Sequence, residues 1–482
     1  MNQAAVAEFL SKRYGISIPV SPMYGMIETW RTWLEGNVKG FHTYNIVSNL
    51  ATNTTRKVRR NRTNMLQRAA NDWASILLNE KTRIVVDDNA SEVWLMGDND
   101  DDDEIGGVFG ENSFWRCANE LVSTSRWAGT AAFELFVRGS EVTEKTGNLV
   151  GGSGVGVNFL CADQIIPISH ENGQLKEAAF VSDKTIDGEE CQFVSVHKIA
   201  DDGLYEISSF YLDSAGKLMT VEGSGLTIHT GSPVPWFALI RKSGPNIFDY
   251  NSPFGVSIIS GAEDVLKALD SAFDNFVNDF QLGRKMVFMN RSMFGADNAA
   301  PQETGESLFI TVGDKLTEKS SLMQEYNPAL RTSENSEGVQ KALDMFSLMV
   351  GLGAHHYQFD HGTIKTATEY VGERQDMVQN AYREMIGIKE ALKTVTKGML
   401  WIGRNILGQP VNPDAKITIL ADDSYIIDKE AEKAEWREDI SLGLRSKTEY
   451  RMRCYGETEE EAAAAIAKAK AENPSISDLL GE

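Results

Sequence analysis

The 482-residue chain is short of cysteine, of basic charge and of long apolar runs. Its four cysteines, Cys117, Cys161, Cys191 and Cys454, lie far apart and form no CxxC pair. That is too sparse for a disulfide scaffold and points to a reducing compartment. No apolar run approaches the ~20 residues needed to span a bilayer. The first twenty residues carry Glu8, Lys12 and Arg13 and have no continuous apolar core, unlike a signal peptide. The expectation is a protein made and used in cytoplasm, or in a particle assembled there. Lys and Arg number 47 against 69 Asp and Glu, a net charge of −22. Proteins that grip nucleic acid tightly neutralise phosphates with cations, so this balance argues against a tight binder but not against a surface that nucleic acid slides past. The G-x-S-x-G elbow, the Walker loop and the H-E-x-x-H helix are all missing, and with them the corresponding enzyme classes. What is present is ordinary for a soluble globular chain: 42% hydrophobic and 24% charged residues, with a length that suits about three domains.

The first 90 residues read as helical, with Ala69-Ala70, Trp73-Ala74 and Leu77-Leu78 at steps of three and four. Arg56, Lys57, Arg59, Arg60 and Arg62 cluster just before this face, as a solvated helix surface or as a contact for nucleic acid or an acidic neighbour. The acidic run at 98–104 lacks the glycine and ligand spacing of an EF-hand and reads as a solvated loop tip. From 133 to 240 the pattern is β-like, with strands around 192–196 and 205–211 and hairpin turns at Asp187-Gly188 and Asp202-Gly203. Gly151-Gly152-Ser153-Gly154-Val155-Gly156 is not followed by GK[ST], so a hairpin loop is expected there and not a phosphate loop.

After Ser252-Pro253-Phe254-Gly255 the pattern predicts an amphipathic helix over 255–281, ~40 Å long. Its apolar stripe is Ile258, Ile259, Ala262, Val265, Leu266, Leu269, Phe273, Phe276, Val277 and Phe280. The opposite face carries Glu263, Asp264, Asp270, Asp274 and Asp279, with only Lys267 opposing. Strands are expected at 286–289 and 307–312, then a helix over 335–350 with Val339, Leu343, Phe346 and Val350 buried. Glycines flank an exposed loop containing His355, His356, Tyr357, Asp360 and His361. Its histidines and Asp360 could be imagined as metal ligands, but no zincin pattern supports this. A capping box, Thr366-Ala367-Thr368-Glu369, opens a helical pattern over 366–407, ~60 Å if unbroken. Gly372, Gly387, Gly398 and Gly403 inside it signal a kink or a close packing contact. Strands at 417–420 and 425–427 follow. The remainder is helical, with capping boxes at Ser446-Lys447-Thr448-Glu449 and Thr458-Glu459-Glu460-Glu461 and a disordered tail after Pro474.

Four stretches carry a family resemblance: Asn71-Asp72-Trp73-Ala74-Ser75-Ile76-Leu77-Leu78-Asn79-Glu80-Lys81; Ser252-Pro253-Phe254-Gly255-Val256-Ser257 with Leu269-Asp270; Lys365-Thr366-Ala367-Thr368-Glu369; and Gly443-Leu444-Arg445-Ser446-Lys447. In this order they resemble portal proteins of tailed bacteriophages of the siphophage type, the head-to-tail connector ring. The resemblance implies an α+β, multidomain portal fold. It would comprise a β-rich wing (1–251, joined by strands in 409–428), a helical stem (252–283 and 335–350) and a small α/β clip (284–334). A tunnel loop (351–365), a long kinked tunnel helix (366–408) and a helical crown with its tail (429–482) would complete it. It further implies a homo-oligomeric ring, commonly a dodecamer, at one capsid vertex of the virion, assembled in the host cytoplasm. Double-stranded DNA would pass through the channel. Terminase large subunit, head-completion or adaptor proteins, and major capsid and scaffolding proteins would be partners. No membrane, no cofactor and no enzymatic activity are implied. On this reading His355, His356, Tyr357, His361 and Lys365 face DNA. Glu263, Asp264, Asp270 and Asp274 line the tunnel, where acidic walls repel phosphate. Arg291, Asp297, Glu303 and Glu306 are terminase-contact candidates. The rival readings are another structural virion or oligomeric scaffold protein, and a metal-dependent enzyme.

Overall fold

The computed structural model describes residues 2–49, 54–98, 106–142, 147, 149–186, 188–221, 224–283, 285–290, 309–312, 323–358, 374–421, 429–455 and 459–472. The chain begins with α1 (Gln3–Tyr14) and α2 (Met23–Leu34), then a two-stranded ribbon of β1 (Thr43–Asn49) and β2 (Thr54–Arg59). Next come α3 (Met65–Leu77), β3 (Arg83–Val86), α4 (Asn89–Met96), α5 (Gly107–Glu111) and α6 (Phe114–Ala128). The strand-rich part holds β4 (Thr130–Arg138), β5 (Glu141–Val142), β6 (Leu149–Val150), β7 (Gly154–Cys161), β8 (Ile165–Glu171), β9 (Gln174–Ile186), β10 (Glu189–Ile199), β11 (Tyr205–Leu212), β12 (Leu226–Ser232) and β13 (Phe237–Arg241). Helix α7 (Glu263–Leu282) is followed by β14 (Met286–Asn290), β15 (Phe309–Val312), β16 (Met323–Tyr326) and α8 (Thr332–Met349). The chain continues with α9 (Gln375–Asn405), β17 (Ile417–Leu420), α10 (Lys429–Ser441), α11 (Lys447–Tyr455) and α12 (Glu459–Glu472). The class is α+β, as expected.

A five-stranded antiparallel sheet runs β12-β11-β10-β9-β8. Period-two alternation splits its side chains between two cores. Ala178 and Phe180 join the main core. Ala179, Val181, Val194 and Val196 pack with Val6, Ala7 and Leu10 of α1 in a second one. The main core lies where α3, α6 and α9 meet the sheet β13-β4-β7. At about 25 cal/mol per Å² of apolar surface, side chains as large as Trp30, Trp236, Phe133 and Phe346, all fully buried, dominate its stabilisation.

Several expectations change. The opening 90 residues are not all helical: 43–49 and 54–59 form the ribbon, and 83–86 form β3. Thr43-Tyr44-Asn45-Ile46-Val47 is rich in the β-branched and aromatic residues that suit a pleated surface, and the basic cluster begins on β2. Helix α7 starts at Glu263, not at 255. Upstream N–H groups are taken by partners outside the segment: Gly255 donates to Thr130 Oγ1 at 2.8 Å and Ile258 to Arg126 O at 2.9 Å. Its 20 residues give a helix of about 30 Å. In the Gly-rich stretch, Gly154 already begins β7, so only 151–153 form the loop. The strand β16 was not anticipated, because Met323-Gln324-Glu325-Tyr326 has no β-branched residue. It flanks β14 on the side opposite β15, antiparallel to it, while β14 and β15 run parallel.

Helix α9 runs unbroken from Gln375 to Asn405. Two of its glycines serve close packing: a Cβ on Gly398 would meet Leu135 Cδ1 at 2.7 Å, and one on Gly403 the Trp94 ring at 2.6 Å. The capping box at Ser446 is present: Glu449 N donates to Ser446 Oγ at 3.1 Å, and Ser446 N to Glu449 Oε2 at 2.8 Å. Gly372, Thr366 to Glu369, Thr458, the strand expected at 425–427, the acidic run beyond Asp98 and the tail after Pro474 lie outside the described residues.

Candidate functional site at the end of helix α8 and along helix α7

Helix α8 buries Val339, Leu343 and Phe346 and ends at Met349. Its exit is fixed from two sides. Trp73 Nε1 donates to Val350 O at 3.0 Å, and Asn380 Nδ2 donates to Gly351 O at 3.0 Å. Leu352 is then fully buried. Gln340 Nε2 bridges Asp344 Oδ1 at 2.8 Å and Tyr357 O at 2.9 Å. The Tyr357 hydroxyl donates to Asp72 Oδ2 at 2.7 Å, and its ring stacks 6.4 Å from Phe346 at 28°. Burial, and then the Asp72 carboxylate, push the Tyr357 phenol up. His355 stands in the left-handed region with φ 64, and its Nδ1 lies 3.1 Å from Asp344 Oδ1. His356 sets its ring edge-on to Tyr357 at 4.7 Å, and burial lowers its pKa.

Segment 351–358 is therefore clamped to α3, α8 and α9. Tyr357, expected to face DNA, is half-buried here and part of the clamp. A phenol withdrawn from water has to satisfy its hydroxyl, and for this half-buried ring Asp72 does so. His355 keeps about half its side chain exposed. His361, Lys365 and Asp360 lie outside the described residues. Sequence reasoning missed Asp72, Trp73, Gln340 and Asn380. Asp72 and Trp73 do fall in the first stretch that carries the family resemblance. Tyr357→Phe keeps the stacked ring and removes a hydrogen bond to a charged acceptor. Its expected cost is about 1.5–3 kcal/mol, to be read as faster amide hydrogen exchange confined to 351–358 and α3. Unchanged exchange would show that the Asp72 bond does not hold the segment.

The acidic face of α7 divides in two. Asp264 is nearly fully exposed and pairs with Lys267 at 2.9 Å; Glu263 accepts the Gly261 N–H at 2.9 Å in the first turn, where the helix dipole favours carboxylates. Asp270 and Asp274 turn inward and are buried, so they do not line a surface of the chain. Asp270 Oδ1 accepts from Thr63 N and Oγ1, both at 2.8 Å, and Oδ2 lies 2.9 Å from His42 Nε2. His42 Nδ1 accepts the Val38 N–H at 3.0 Å, which assigns the ring proton to Nε2 and makes it the donor to Asp270. Asp274 Oδ1 accepts from Asn61 N and Nδ2, both at 2.9 Å, with Arg60 Nε 3.7 Å from Oδ2. At the far end of α7, Asp279 accepts from Arg331 N at 2.8 Å and Asn335 Nδ2 at 3.2 Å, tying α7 to α8; the Arg331 N–H is the main cause of its lowered pKa. Arg291, Asp297, Glu303 and Glu306 lie outside the described residues.

Among the described residues, no group of three or more His, Cys, Asp and Glu side chains could hold a metal ion, and no helix is long and apolar enough to cross a membrane.

Curated proteins give no match to this chain. Among solved structures, the neck of a native GTA particle computed with C12 symmetry is similar over 80% of this chain and 88% of that one, at 12% identity and a TM-score of 0.38, too distant a likeness to carry an argument. The family described as phage portal protein, SPP1 Gp6-like, matches residues 23–475. That family is structural and non-enzymatic and supplies components of the virion capsid. With nearly the whole length matched, this chain belongs to the SPP1 Gp6-like family of phage portal proteins.

Proposed function

We propose that this chain assembles into a ring of twelve copies at one capsid vertex, the channel for DNA packaging and ejection. The ring would also be the docking site for terminase large subunit, head-completion proteins, and capsid and scaffolding proteins. The observation that carries the reading is the family match over 23–475. Exposed apolar side chains support it. Met345, Leu348, Tyr382 and Ile386, on α8 and the first turns of α9, are 51%, 50%, 55% and 69% exposed in the single chain. The two residues on each helix stand at helical spacing on one face, and exposed apolar faces of this kind mark surfaces that another protein covers. On this reading residues 1–251 with 409–428 form the wing, 252–283 and 335–350 the stem, and 284–334 the clip that meets the motor. Residues 351–365 form the tunnel loop, carried by the helix over 366–408, and 429–482 form the crown. His355, His356, His361 and Lys365 are the DNA-facing candidates; the net charge of −22 disfavours phosphate over most of the remaining surface.

Native mass spectrometry with class-averaged electron microscopy tests the reading. Twelve 53.3 kDa copies give a closed ring of about 640 kDa with a central hole. A compact monomer that does not assemble alone or with capsid protein would overturn it.

A further inference from the structure

The ribbon β1–β2 pairs with no other strand of the described residues. Its register pairs Tyr44 with Val58 and Ile46 with Arg56, and places Thr43 opposite Arg59, Asn45 opposite Lys57 and Val47 opposite Thr55. Cross-strand partners share a face, so one face presents Tyr44, Val58, Ile46 and Arg56, and the other Arg59, Lys57 and Val47. Neither face is buried. Ile46 and Val47 are 36% and 49% exposed, and Arg56, Lys57 and Arg59 are all exposed. A lone two-stranded ribbon is marginal in water, and its free edges are templates for association.

The base of this ribbon is nevertheless held firmly. The Arg60 guanidinium lies over the Phe41 ring at 4.2 Å and the Tyr44 ring at 5.4 Å. Asp270 and Asp274 of α7 fix Thr63, His42 and Asn61 beside it. The buried carboxylates of α7 thus anchor the ribbon and set its direction. Residues 43–59 contain three cations and no Asp or Glu, in a chain of net charge −22. Copies of such a chain repel one another over most of their surface, and the ribbon is a local exception. Its exposed Ile46 and Val47 fit a protein surface better than a phosphate backbone.

We propose that the strands β1 and β2 of this ribbon (Thr43–Asn49 and Thr54–Arg59) are a subunit–subunit contact, docking their cations and exposed aliphatic side chains onto an acidic face of a second copy of this chain. The inference rests on the ring reading. Replacing Arg56, Lys57 and Arg59 together with Glu in the full chain tests it. The expected result is a loss of ring mass of about tenfold or more, with far-UV circular dichroism and the urea midpoint of the dissociated subunit unchanged. The charge-conserving variant R56K/K57R/R59K keeps the ring. A ring retained by the Glu variant at wild-type yield overturns the inference alone, and one retained with poorer DNA retention makes the ribbon a nucleic-acid contact instead. A wild-type chain that forms no ring overturns both the ring reading and this inference.

Discussion

Replacing Glu384 with alanine is expected to lower the stability of the folded chain by about 3–5 kcal/mol. Arg126 and Glu384 are 1% and 4% exposed, and the Arg126 guanidinium donates to Glu384 Oε2 in the interior. The same oxygen accepts the Ser243 N–H at 2.9 Å. Without the carboxylate, the guanidinium keeps, among the described residues, only Ser125 Oγ, 3.1 Å from Nε and 3.0 Å from its second terminal nitrogen, and a charge is left unpaired in the interior. Lys242 worsens the loss. Burial already lowers its pKa, and Glu384 is the first influence opposing that fall. The pair joins α6 to α9, so the urea midpoint of the whole body should fall. Replacing both partners, Arg126→Met with Glu384→Leu, should recover most of the loss, because a buried pair exchanged for apolar side chains of similar volume is often neutral or stabilising. If the single and double variants are equally unstable, the ion pair is not the source of the effect. Little change in the single variant would mean that the site admits water.

The second large effect is expected at Asp270→Ala, about 3 kcal/mol. This carboxylate is 4% exposed and satisfies three donors from one stretch of chain, Thr63 N, Thr63 Oγ1 and His42 Nε2. Its removal leaves the buried His42 ring N–H and the half-buried Thr63 donors without their acceptor. Asp270→Asn should fall between wild type and Ala, because the amide keeps one acceptor but turns its donor on a donor. The loss is expected to be local as well as global. Limited trypsin digestion should open sites at Arg56, Lys57, Arg59 and Arg60 in the Ala variant at protease levels that leave wild type intact. A stability loss without new cleavage there would show that Asp270 does not anchor the ribbon.

These two carboxylates mark the limit of what could be read along the chain. The apolar stripe of α7 was legible, because Leu266 and Leu269 recur at helical spacing and are buried. The strands at 286–290, 309–312 and 417–420 and the capping box at Ser446 were legible for similar local reasons. Asp270 and Asp274 were not: a carboxylate on a helix reads as solvated unless its partner is known, and the partners lie 207 residues away at Thr63 and 213 at Asn61. The start of α7 was missed because Thr130 and Arg126 take N–H groups that a local pattern assigns to the helix. The glycines around Tyr357 announce an exposed loop, and nothing local shows that Asp72, 285 residues earlier, holds its hydroxyl. Pairings across such separations leave no periodic trace in either partner.

The pairing of β17 with β3 sets an order of events during synthesis. Ile417 is registered against Val86, and Leu420 against Arg83. At 5–20 residues per second, β3 is made roughly 17–66 seconds before its partner exists, and for that interval its outer edge is open. Helix α9, which covers the sheet β13-β4-β7, is equally late. The body of a subunit therefore closes only when most of its chain has been made. Synthesis of the late strand and helix, and not the folding of the first half, times the moment at which the folded body is complete.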